Sequence, residues 1–168
     1  LKTDWVWGIE DHSGTLAAWV NIPSSEANIN NGRDILSSHD DGQTGNTRFA
    51  QLGLRQRGDG IGILKNKVHA DATGAFAQYP TDEWFHLAGV VDKETGELRT
   101  YINGEQQATA RDIDIRMEQE GVFAVGAKGK NRGGNYIYES RFVGQIDDVR
   151  GYNRLLSDEQ IRSLVTSR

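Results

Sequence analysis

The chain has 168 residues, of which 36% are hydrophobic, and it contains no cysteine, which excludes disulfide frameworks, thiolate metal sites and thiol nucleophiles. Nineteen Lys and Arg residues against 24 Asp and Glu residues give a net charge of −5, and no block of five like charges occurs, which argues against nucleic-acid partners and anionic membrane surfaces. No apolar run approaches the roughly 18 residues of a membrane-spanning helix, so we predict a single globular domain over residues 1–168 without membrane insertion. Because the chain starts at Leu1, with neither methionine nor an apolar signal region, we expect this domain to be cut from a longer polypeptide.

Short alternating or apolar runs bounded by Gly, Asn and Asp recur along the chain, and helical periodicity is nearly absent. This pattern predicts an all-β fold. The predicted strands are, in chain order, Thr15–Asn21, Asp34–Ser38, Arg48–Arg57, Gly60–Asn66, Phe85–Asp92, Leu98–Ile102, Val122–Ala127 and Tyr136–Tyr152, the last of which is expected to hold two strands.

Turn and cap residues complete this pattern. Asn103-Gly104 supplies the positive φ angles of a two-residue hairpin turn. A helix is indicated at the C-terminal end, where Ser157 can act as the N-cap and Gln160 completes a capping box. The apolar face of that helix comprises Ile161, Leu164 and Val165. Many short strands followed by one terminal helix predict two antiparallel sheets packed as a sandwich.

Four blocks of sequence occur in the order and spacing of a known family. Residues 16–20, 84–90 and 98–104 read LAAWV, WFHLAGV and LRTYING, and residues 142–161 read FVGQIDDVRGYNRLLSDEQI. These blocks resemble the strands and closing helix of laminin G-like jelly-roll domains in the concanavalin A-like lectin/glucanase superfamily. The resemblance runs from about Thr15 to Val165, and it implies a jelly-roll sandwich at the cell surface or outside the cell. The strand that normally precedes the first block is short or missing, so Leu1–Glu10 either supplies it or leaves an edge of the sheet open.

Two aromatic positions and one histidine match core positions of that family. Trp19 and Trp84 are expected to be structural. His86 alternates with Trp84 and Ala88 along its predicted strand, and we expect it to be a partly buried histidine whose hydrogen bonds are satisfied.

The resemblance also implies a structural calcium ion on the outer face, held by the acidic residue of the closing strand and by backbone carbonyls near the start of the domain. It identifies Asp147 as the candidate metal ligand and Asp148 as the second. Calcium takes six to eight oxygen ligands, so two carboxylates on one strand do not define a site alone. The alternative is that Asp147 pairs with Arg150 or Arg154, or caps a turn.

The superfamily includes glycoside hydrolases, whose retaining members carry closely spaced acids on one strand. The nearest pattern in this chain is Asp112-x-Asp114 followed by Glu118 and Glu120, whose first residue differs from the family pattern and whose third is displaced. The sequence lacks a Gly-x-Ser-x-Gly elbow and a phosphate-binding Gly-Lys-Ser/Thr loop. We therefore predict no catalytic residues and keep a glycoside hydrolase domain as a remote alternative, while the parent protein can still be an enzyme.

Sugar recognition needs aromatic faces for the apolar side of a pyranose ring and planar polar groups for its hydroxyls. Lys128–Asn135 is a basic, amide-rich stretch that we predict to be a loop, and two tyrosines follow it. We predict this segment to be the rim of a binding site. Its candidate ligand-binding residues are Lys130, Asn131, Arg132, Asn135, Tyr136 and Tyr138.

Two arginines of an earlier strand extend this hypothesis. Arg55 and Arg57 lie on the polar face of their predicted strand, which is expected to line the concave sheet. A guanidinium binds carboxylate or sulfate in a bidentate fork, so convergence of these arginines with the basic stretch predicts an acidic glycan, such as a uronate or a sulfated polysaccharide. The alternative is a solvated polar face without a ligand.

The sequence and the resemblance together predict an all-β, two-sheet antiparallel jelly-roll sandwich with a short C-terminal helix. We expect it to act as a non-catalytic, lectin-like carbohydrate-binding module of an extracellular or cell-surface protein. The alternative is a module for protein–protein adhesion or scaffolding without a sugar site. A broad exposed apolar patch would favour adhesion, whereas exposed aromatic residues beside Asn and Arg groups would favour sugar binding.

Overall fold

The computed structural model describes residues 2–7, 13–26, 33–39, 49–54, 60–65, 68–71, 79–113, 121–132, 135–139 and 141–167. Side chains are described within 13–26, 34–37, 79–113, 123–127, 138 and 141–167. The elements in chain order are β1 (Lys2–Trp7), β2 (Gly14–Asn21), β3 (Arg33–His39), β4 (Phe49–Leu54), β5 (Gly60–Lys65), β6 (Val68–Asp71), β7 (Trp84–Asp92), β8 (Glu97–Ile102), β9 (Glu105–Ala110), β10 (Gly121–Val125), β11 (Lys128–Arg132), β12 (Asn135–Glu139), β13 (Gln145–Tyr152) and α1 (Asp158–Thr166). A single 3₁₀ turn, Ser24–Glu26, follows β2.

Two antiparallel sheets pack face to face. The six-stranded sheet has the order β1-β10-β3-β4-β5-β6, and the five-stranded sheet has the order β13-β2-β7-β8-β9. The remaining two strands, β11 and β12, pair with each other as a hairpin. Neighbours such as β13 and β2 lie far apart in sequence, as expected of a jelly roll. The predicted all-β jelly-roll sandwich with a terminal helix is confirmed.

The main core lies between the two sheets and follows from alternation along the strands. In β2, Leu16, Ala18 and Val20 are fully buried in this core. Further buried residues of the same core are Ile22, Ile35, Leu36, Phe85, Leu87, Val91, Leu98, Ala108 and Phe123. Removal of each large apolar side chain from water contributes about 1.5–3 kcal/mol to the stability of the domain.

A second, smaller core lies on the outer face of the five-stranded sheet, where α1 covers it. Its buried members are Ala17, Ala88, Val90, Tyr101, Leu156, Ile161 and Leu164. The predicted capping box is present: the Ser157 hydroxyl accepts from the Gln160 N–H at 3.3 Å, and the Gln160 side chain accepts from the Ser157 N–H at 3.0 Å. At nine residues α1 is short, and no helix in the described part of the chain is long and apolar enough to cross a membrane.

Buried polar contacts fix the position of α1. The Thr15 hydroxyl donates to the Arg154 carbonyl at 3.0 Å and accepts from the Leu156 N–H at 3.1 Å. The Tyr101 hydroxyl donates to the Asp158 carboxylate at 2.8 Å. Because these contacts join β2 and β8 to both sides of the helix N-cap, the segment before α1 and its first turn are held on the sheet.

The structure departs from the predicted elements at several places, among them β6 and β9, which no predicted strand covers. Of the two alternatives for Leu1–Glu10, the structure shows the additional strand, because Lys2–Trp7 forms β1 beside β10. Lys128–Asn135 was predicted as a loop, and this is wrong, because Lys128–Arg132 is β11 and Asn135 begins β12. The stretch lacks alternation of apolar and polar residues, which is the signal that identifies a strand in a sequence.

Candidate functional site

The hairpin of β11 and β12 leaves the six-stranded sheet directly after β10. Gly126, with a φ of +77°, turns the chain in a backbone conformation that glycine adopts without strain. Its N–H donates to the Ile35 carbonyl, and its carbonyl accepts from the Phe142 N–H, both at 2.8 Å. The buried Ser37 hydroxyl donates to the Ala127 carbonyl at 3.0 Å. The base of the hairpin is therefore fixed both to β3 and to the segment that enters β13.

The register of the hairpin divides the predicted binding residues between two faces. Directly opposed residues of an antiparallel pair share a face, and so do residues two apart on one strand. The cationic face comprises Lys128, Lys130, Arg132, Asn135, Ile137 and Glu139. The tyrosine face comprises Gly129, Asn131, Tyr136 and Tyr138. The structure thus places all six predicted hairpin residues on one element, but on opposite faces of it.

The position of the hairpin relates these faces to the rest of the domain. β11 lies against β3, and Tyr138 is partly buried. Tyr138 is the one hairpin side chain that the structure describes. Arg55 and Arg57 lie outside the described residues. Because the structure does not describe them, their convergence with the hairpin stays a prediction. They follow β4, which pairs with β3.

The two predicted metal ligands lie in a β-bulge of β13. Asp147 pairs with Trp19 of β2 and Arg150 pairs with Ala17, so Asp148 and Val149 together face one residue of β2. Asp148 has a φ of +46°, which is uncommon for a residue with a Cβ but tolerated best by Asp and Asn. The Asp147 carboxylate accepts from the Asp148 N–H at 2.8 Å, so Asp147 caps the bulge.

Asp148 forms a bidentate ion pair with Arg150. The Arg150 Nε donates to one carboxylate oxygen of Asp148 at 2.8 Å, and Nη2 lies 2.7 Å from the other oxygen. Both side chains are about one-third exposed. The hydrogen bonds to Asp148 and then to Tyr152 raise the pKa of Arg150 above its ordinary value. The guanidinium therefore stays charged and occupies both oxygens of the second predicted metal ligand.

The described residues do not by themselves fit a calcium site at this bulge. The Asp148 carboxylate is bound to Arg150, and the described residues contain no group of three or more His, Cys, Asp or Glu that could hold a metal ion. Calcium needs six to eight oxygen ligands, of which the bulge offers a fraction. The predicted role of Asp147 and Asp148 toward calcium therefore stays a prediction.

Trp19 and His86 form a buried aromatic pair beside the bulge. Trp19 of β2 pairs with both Asp147 of β13 and His86 of β7, so the three residues form one row across the sheet. The rings of Trp19 and His86 meet edge to face with centroids 5.6 Å apart. Trp19 is 9% exposed and His86 is 2% exposed, so this pair is structural and offers no stacking surface to a sugar.

His86 differs from its expected state. It is fully buried rather than partly buried, and its Nδ1 has no hydrogen-bond partner among the described residues. Its backbone N–H is bound by the Asn103 side chain at 2.8 Å. Burial and then the charge of Arg150 lower the pKa of His86 to about 4, against an opposing effect of Asp148. The imidazole is therefore neutral at physiological pH.

Sequence reasoning missed the residues that hold these features in place. Ser37 and Gly126, which anchor the hairpin, carry no signal beyond being a small polar residue and a glycine. The pair of Asp148 and Arg150 had a signal, because an acid and a base two residues apart on a strand share a face. Arg150 was one of the predicted partners of Asp147, whereas in the structure it forms an ion pair with Asp148.

The fold and its anchored hairpin define a lectin-like jelly-roll domain. A laminin G family model, described as the concanavalin A-like lectin/glucanases superfamily, matches residues 7–162. The chain belongs to this superfamily, and the resemblance drawn from the four sequence blocks is confirmed.

Curated relatives match a limited part of their own length. The pentraxin fusion protein of Xenopus laevis is 26% identical over 122 residues, which cover 72% of this chain and 26% of that protein. The chain spans about a quarter of the length of the curated relatives it matches.

Solved structures share the fold at low sequence identity. Domain 4 of AbnA, a GH43 extracellular arabinanase from Geobacillus stearothermophilus in complex with arabinotriose, has a TM-score of 0.69 and 22% identity, covering 95% of this chain and 69% of that chain. The CBM40 domain of the Ruminococcus gnavus IT-sialidase, bound to α2,3-sialyllactose, has a TM-score of 0.64 and 20% identity, covering 92% and 83%. At these identities the likeness establishes the fold.

Proposed function

We propose that this chain is a non-catalytic carbohydrate-binding module and that the hairpin of β11 and β12 is its glycan-binding element. The observation that carries this proposal is the anchored hairpin itself. Its ten paired residues include two tyrosines, two asparagines and three basic residues. Its base is hydrogen-bonded to β3 and to the segment that enters β13.

The two faces of the hairpin carry chemistry suited to sugars. Tyrosine rings pack on the apolar side of a pyranose, and asparagine amides both donate to and accept from ring hydroxyls. Lysine and arginine bind the carboxylate or sulfate of an acidic sugar through charge-assisted hydrogen bonds. A hairpin held at its base loses little conformational freedom when a ligand binds, which favours affinity.

The solved relatives support a glycan as the ligand. One of them holds arabinotriose and another holds α2,3-sialyllactose, so this fold accommodates both a neutral and an acidic oligosaccharide. Fold alone does not decide function, because function depends on the site. The proposal therefore rests on the hairpin, with the relatives as support.

Catalysis and location are part of the same proposal. The acidic segment that best approaches a glycosidase pattern begins at the exposed Asp112, two residues after the end of β9, while Asp114, Glu118 and Glu120 lie outside the described residues. We propose a binding role without catalysis for this chain.

We also propose that it acts outside the cell or at the cell surface, in line with the extracellular arabinanase among its structural relatives.

A broad glycan array that includes neutral and acidic polysaccharides tests this function. The array is run with the folded, monodisperse domain, once in calcium and once in chelator. Binding to a related set of glycans is the expected result. Absence of binding to every glycan under both conditions would contradict the proposal and would favour the adhesion alternative, for which the described residues offer the exposed Val143, Val149 and Leu155.

A further inference from the structure

Resting on the carbohydrate-binding function proposed above, we infer that the five-stranded sheet carries a second sugar-contact surface, built on Asn21, Trp84 and Gln145, that takes a neutral sugar unit of the glycan. We call these three residues the Trp84 row. They lie outside the hairpin. The resemblance assigns Trp84 to the core of the domain, whereas the structure leaves it partly exposed.

The Trp84 row crosses three neighbouring strands in one line. Asn21, at the end of β2, pairs with Gln145 of β13 on one side and with Trp84 of β7 on the other. Neighbouring strands lie about 4.8 Å apart, so the row spans about 10 Å. Opposed residues of an antiparallel pair share a face, so the three side chains leave the same face of the sheet.

This face is the outer one, away from the main core. Val20, Phe85 and Ile146, each next in sequence to a member of the row, are buried in the core between the sheets or packed against it. Because side chains alternate along a strand, the row points away from that core. The helix α1 packs on the same outer face over Ala17 and Ala88, which lie four residues, or about 13 Å, along their strands from the row.

The Trp84 row is accessible to a ligand. Gln145 is exposed, and Asn21 and Trp84 are partly exposed. An indole packs on the apolar side of a sugar ring, and each amide both donates to and accepts from sugar hydroxyls. The row therefore combines one aromatic ring with two amides on one face.

The loop that enters Trp84 is fixed to the segment that leaves Asn21. The N–H of Asp82 donates to the Ile22 carbonyl at 2.8 Å, and the Asp82 carboxylate accepts from the Ser24 N–H at 3.0 Å. These two hydrogen bonds set the start of β7 beside the end of β2.

A close backbone approach fixes Gln145 beside Asn21. Gly144 has a φ of +150°, and a Cβ at this position would collide with the Asn21 carbonyl oxygen and with the Phe142 ring. Glycine permits this approach because it has no Cβ. A row that is held from both sides loses little conformational freedom when a ligand binds, which favours affinity.

The charge around the row favours a neutral sugar. The segments that meet here, residues 21–26, 79–84 and 143–147, contain no basic residue. Their acidic residues are Glu26, Asp82, Glu83 and Asp147, of which the last three are exposed. An acidic surrounding repels carboxylate and sulfate groups, so this surface is suited to a sugar unit without charge.

The row lies at the same end of the domain as the base of the hairpin. The Phe142 N–H donates to the Gly126 carbonyl at 2.8 Å, and Gln145 follows Phe142 by three residues. Three residues span at most about 11 Å. An oligosaccharide of several units is therefore long enough to contact both surfaces.

The test measures binding of four neutral hexasaccharides, arabinohexaose, xylohexaose, cellohexaose and mannohexaose, by isothermal titration calorimetry. The variants of the row are W84A, W84F and Q145A. The matched control is Q107A, which removes an exposed glutamine from the opposite edge strand of the same sheet.

We expect W84A to weaken binding of a hexasaccharide that the wild type binds by about tenfold, and Q145A to weaken it by about fivefold. W84F keeps an aromatic ring and Q107A leaves the row intact, so both are expected to bind within about threefold of the wild type. Circular dichroism and the melting temperature show that each variant is folded. Because Gln145 is exposed, Q145A tests the row even if W84A does not fold.

Three outcomes would overturn the inference. Binding by Q145A as tight as that of Q107A would remove Gln145 from the surface. Equal losses in W84A and W84F would mean that Trp84 acts through the fold and not through its ring. Binding of the wild type to oligogalacturonate and to none of the neutral hexasaccharides would show that the assignment to a neutral sugar is wrong.

The failure of this inference can be told apart from failure of the proposed function. If the wild type binds glycans on the array and the variants of the row bind them equally well, the module is still a carbohydrate-binding one and the second surface is wrong. If the wild type binds no glycan on the array and no hexasaccharide, both proposals are wrong.

Discussion

The carboxylate of Asp148 and the guanidinium of Arg150 lie two residues apart on β13 and meet through two contacts of 2.8 and 2.7 Å across a β-bulge. The bulge places Asp148 at a φ of +46° and leaves Val149 41% exposed instead of buried in the core. The ion pair therefore stabilises an irregular edge strand of the sheet next to the buried pair of Trp19 and His86. Because Asp147 binds the Asp148 N–H, both acids of the closing strand have structural partners.

Two substitutions of Asp148 separate the ion pair from the backbone conformation. Asp148→Ala removes the carboxylate and places a less tolerant side chain at positive φ, so we expect a loss of about 1–2 kcal/mol in the free energy of unfolding. Asp148→Gly removes the same carboxylate at a position that glycine adopts freely, so the loss should be smaller. Urea unfolding followed by tryptophan fluorescence measures both. Equal stabilities of the Ala and Gly variants would show that the backbone conformation carries no cost.

Stability should fall in mild acid because of His86. The folded-state pKa of His86 is lowered from 6.5 to about 4, mainly by burial, so the unfolded chain binds a proton more readily than the folded domain. The neutral His86 contributes at most about 3 kcal/mol to the free energy of unfolding in this way. This contribution is fully present above about pH 6.5 and is lost as the pH falls from 6.5 toward 4.

The check is the free energy of unfolding measured across pH 4–7 for the wild type and for His86→Gln. The variant, although less stable at pH 7, should show a weaker dependence on pH over this interval. A slope in His86→Gln as steep as that of the wild type would assign the acid sensitivity to other groups.

We expect Thr15 to contribute more to the stability of the domain than the size of its side chain suggests. Its buried hydroxyl donates to the Arg154 carbonyl and accepts from the Leu156 N–H, so Thr15→Val leaves a buried donor and a buried acceptor unpaired. We expect a loss of about 2 kcal/mol in the free energy of unfolding. Thr15→Ser keeps the hydroxyl and serves as the matched control. A Val variant as stable as the Ser variant would contradict the role assigned to this hydroxyl.

The calcium hypothesis has its own test at Asp147. If Asp147 ligates calcium, Asp147→Ala lowers the melting temperature in the presence of calcium and has no such effect in chelator. If Asp147 acts only as the cap of the Asp148 N–H, the substitution lowers the melting temperature equally in both conditions. Differential scanning fluorimetry of the wild type and the variant in both buffers decides between these two roles. An equal decrease in melting temperature in calcium and in chelator would show that Asp147 does not bind calcium.

Several parts of the fold could be predicted because their signals are local. β2 is an apolar strand between turn residues, and the capping box of Ser157 and Gln160 needs four consecutive residues to be recognised. The Asn103-Gly104 turn is equally local, and both residues have positive φ in the structure. These elements were predicted correctly since each is determined by neighbours in the sequence.

The candidate site was harder to predict because its features depend on distant residues. β11 has no apolar alternation, and its strand conformation depends on the pairing with β12 and on anchors from Ser37 and Ile35, about 90 residues earlier. The environment of His86 depends on the ring of Trp19 in β2, and its lowered pKa depends on burial and on the charge of Arg150 in β13. The division of the hairpin into two faces needs the register, which composition alone does not give.

The most direct test of the account is to map a bound glycan on the folded domain by NMR. A glycan identified on the array is titrated into ¹⁵N-labelled protein, and the backbone amide shifts are followed. We predict that the largest shift changes fall within residues 128–132 and 135–139, with small changes along β13 and α1. Saturable shift changes confined to another surface, with the hairpin amides unmoved, would contradict the central claim that this hairpin is the glycan-binding element.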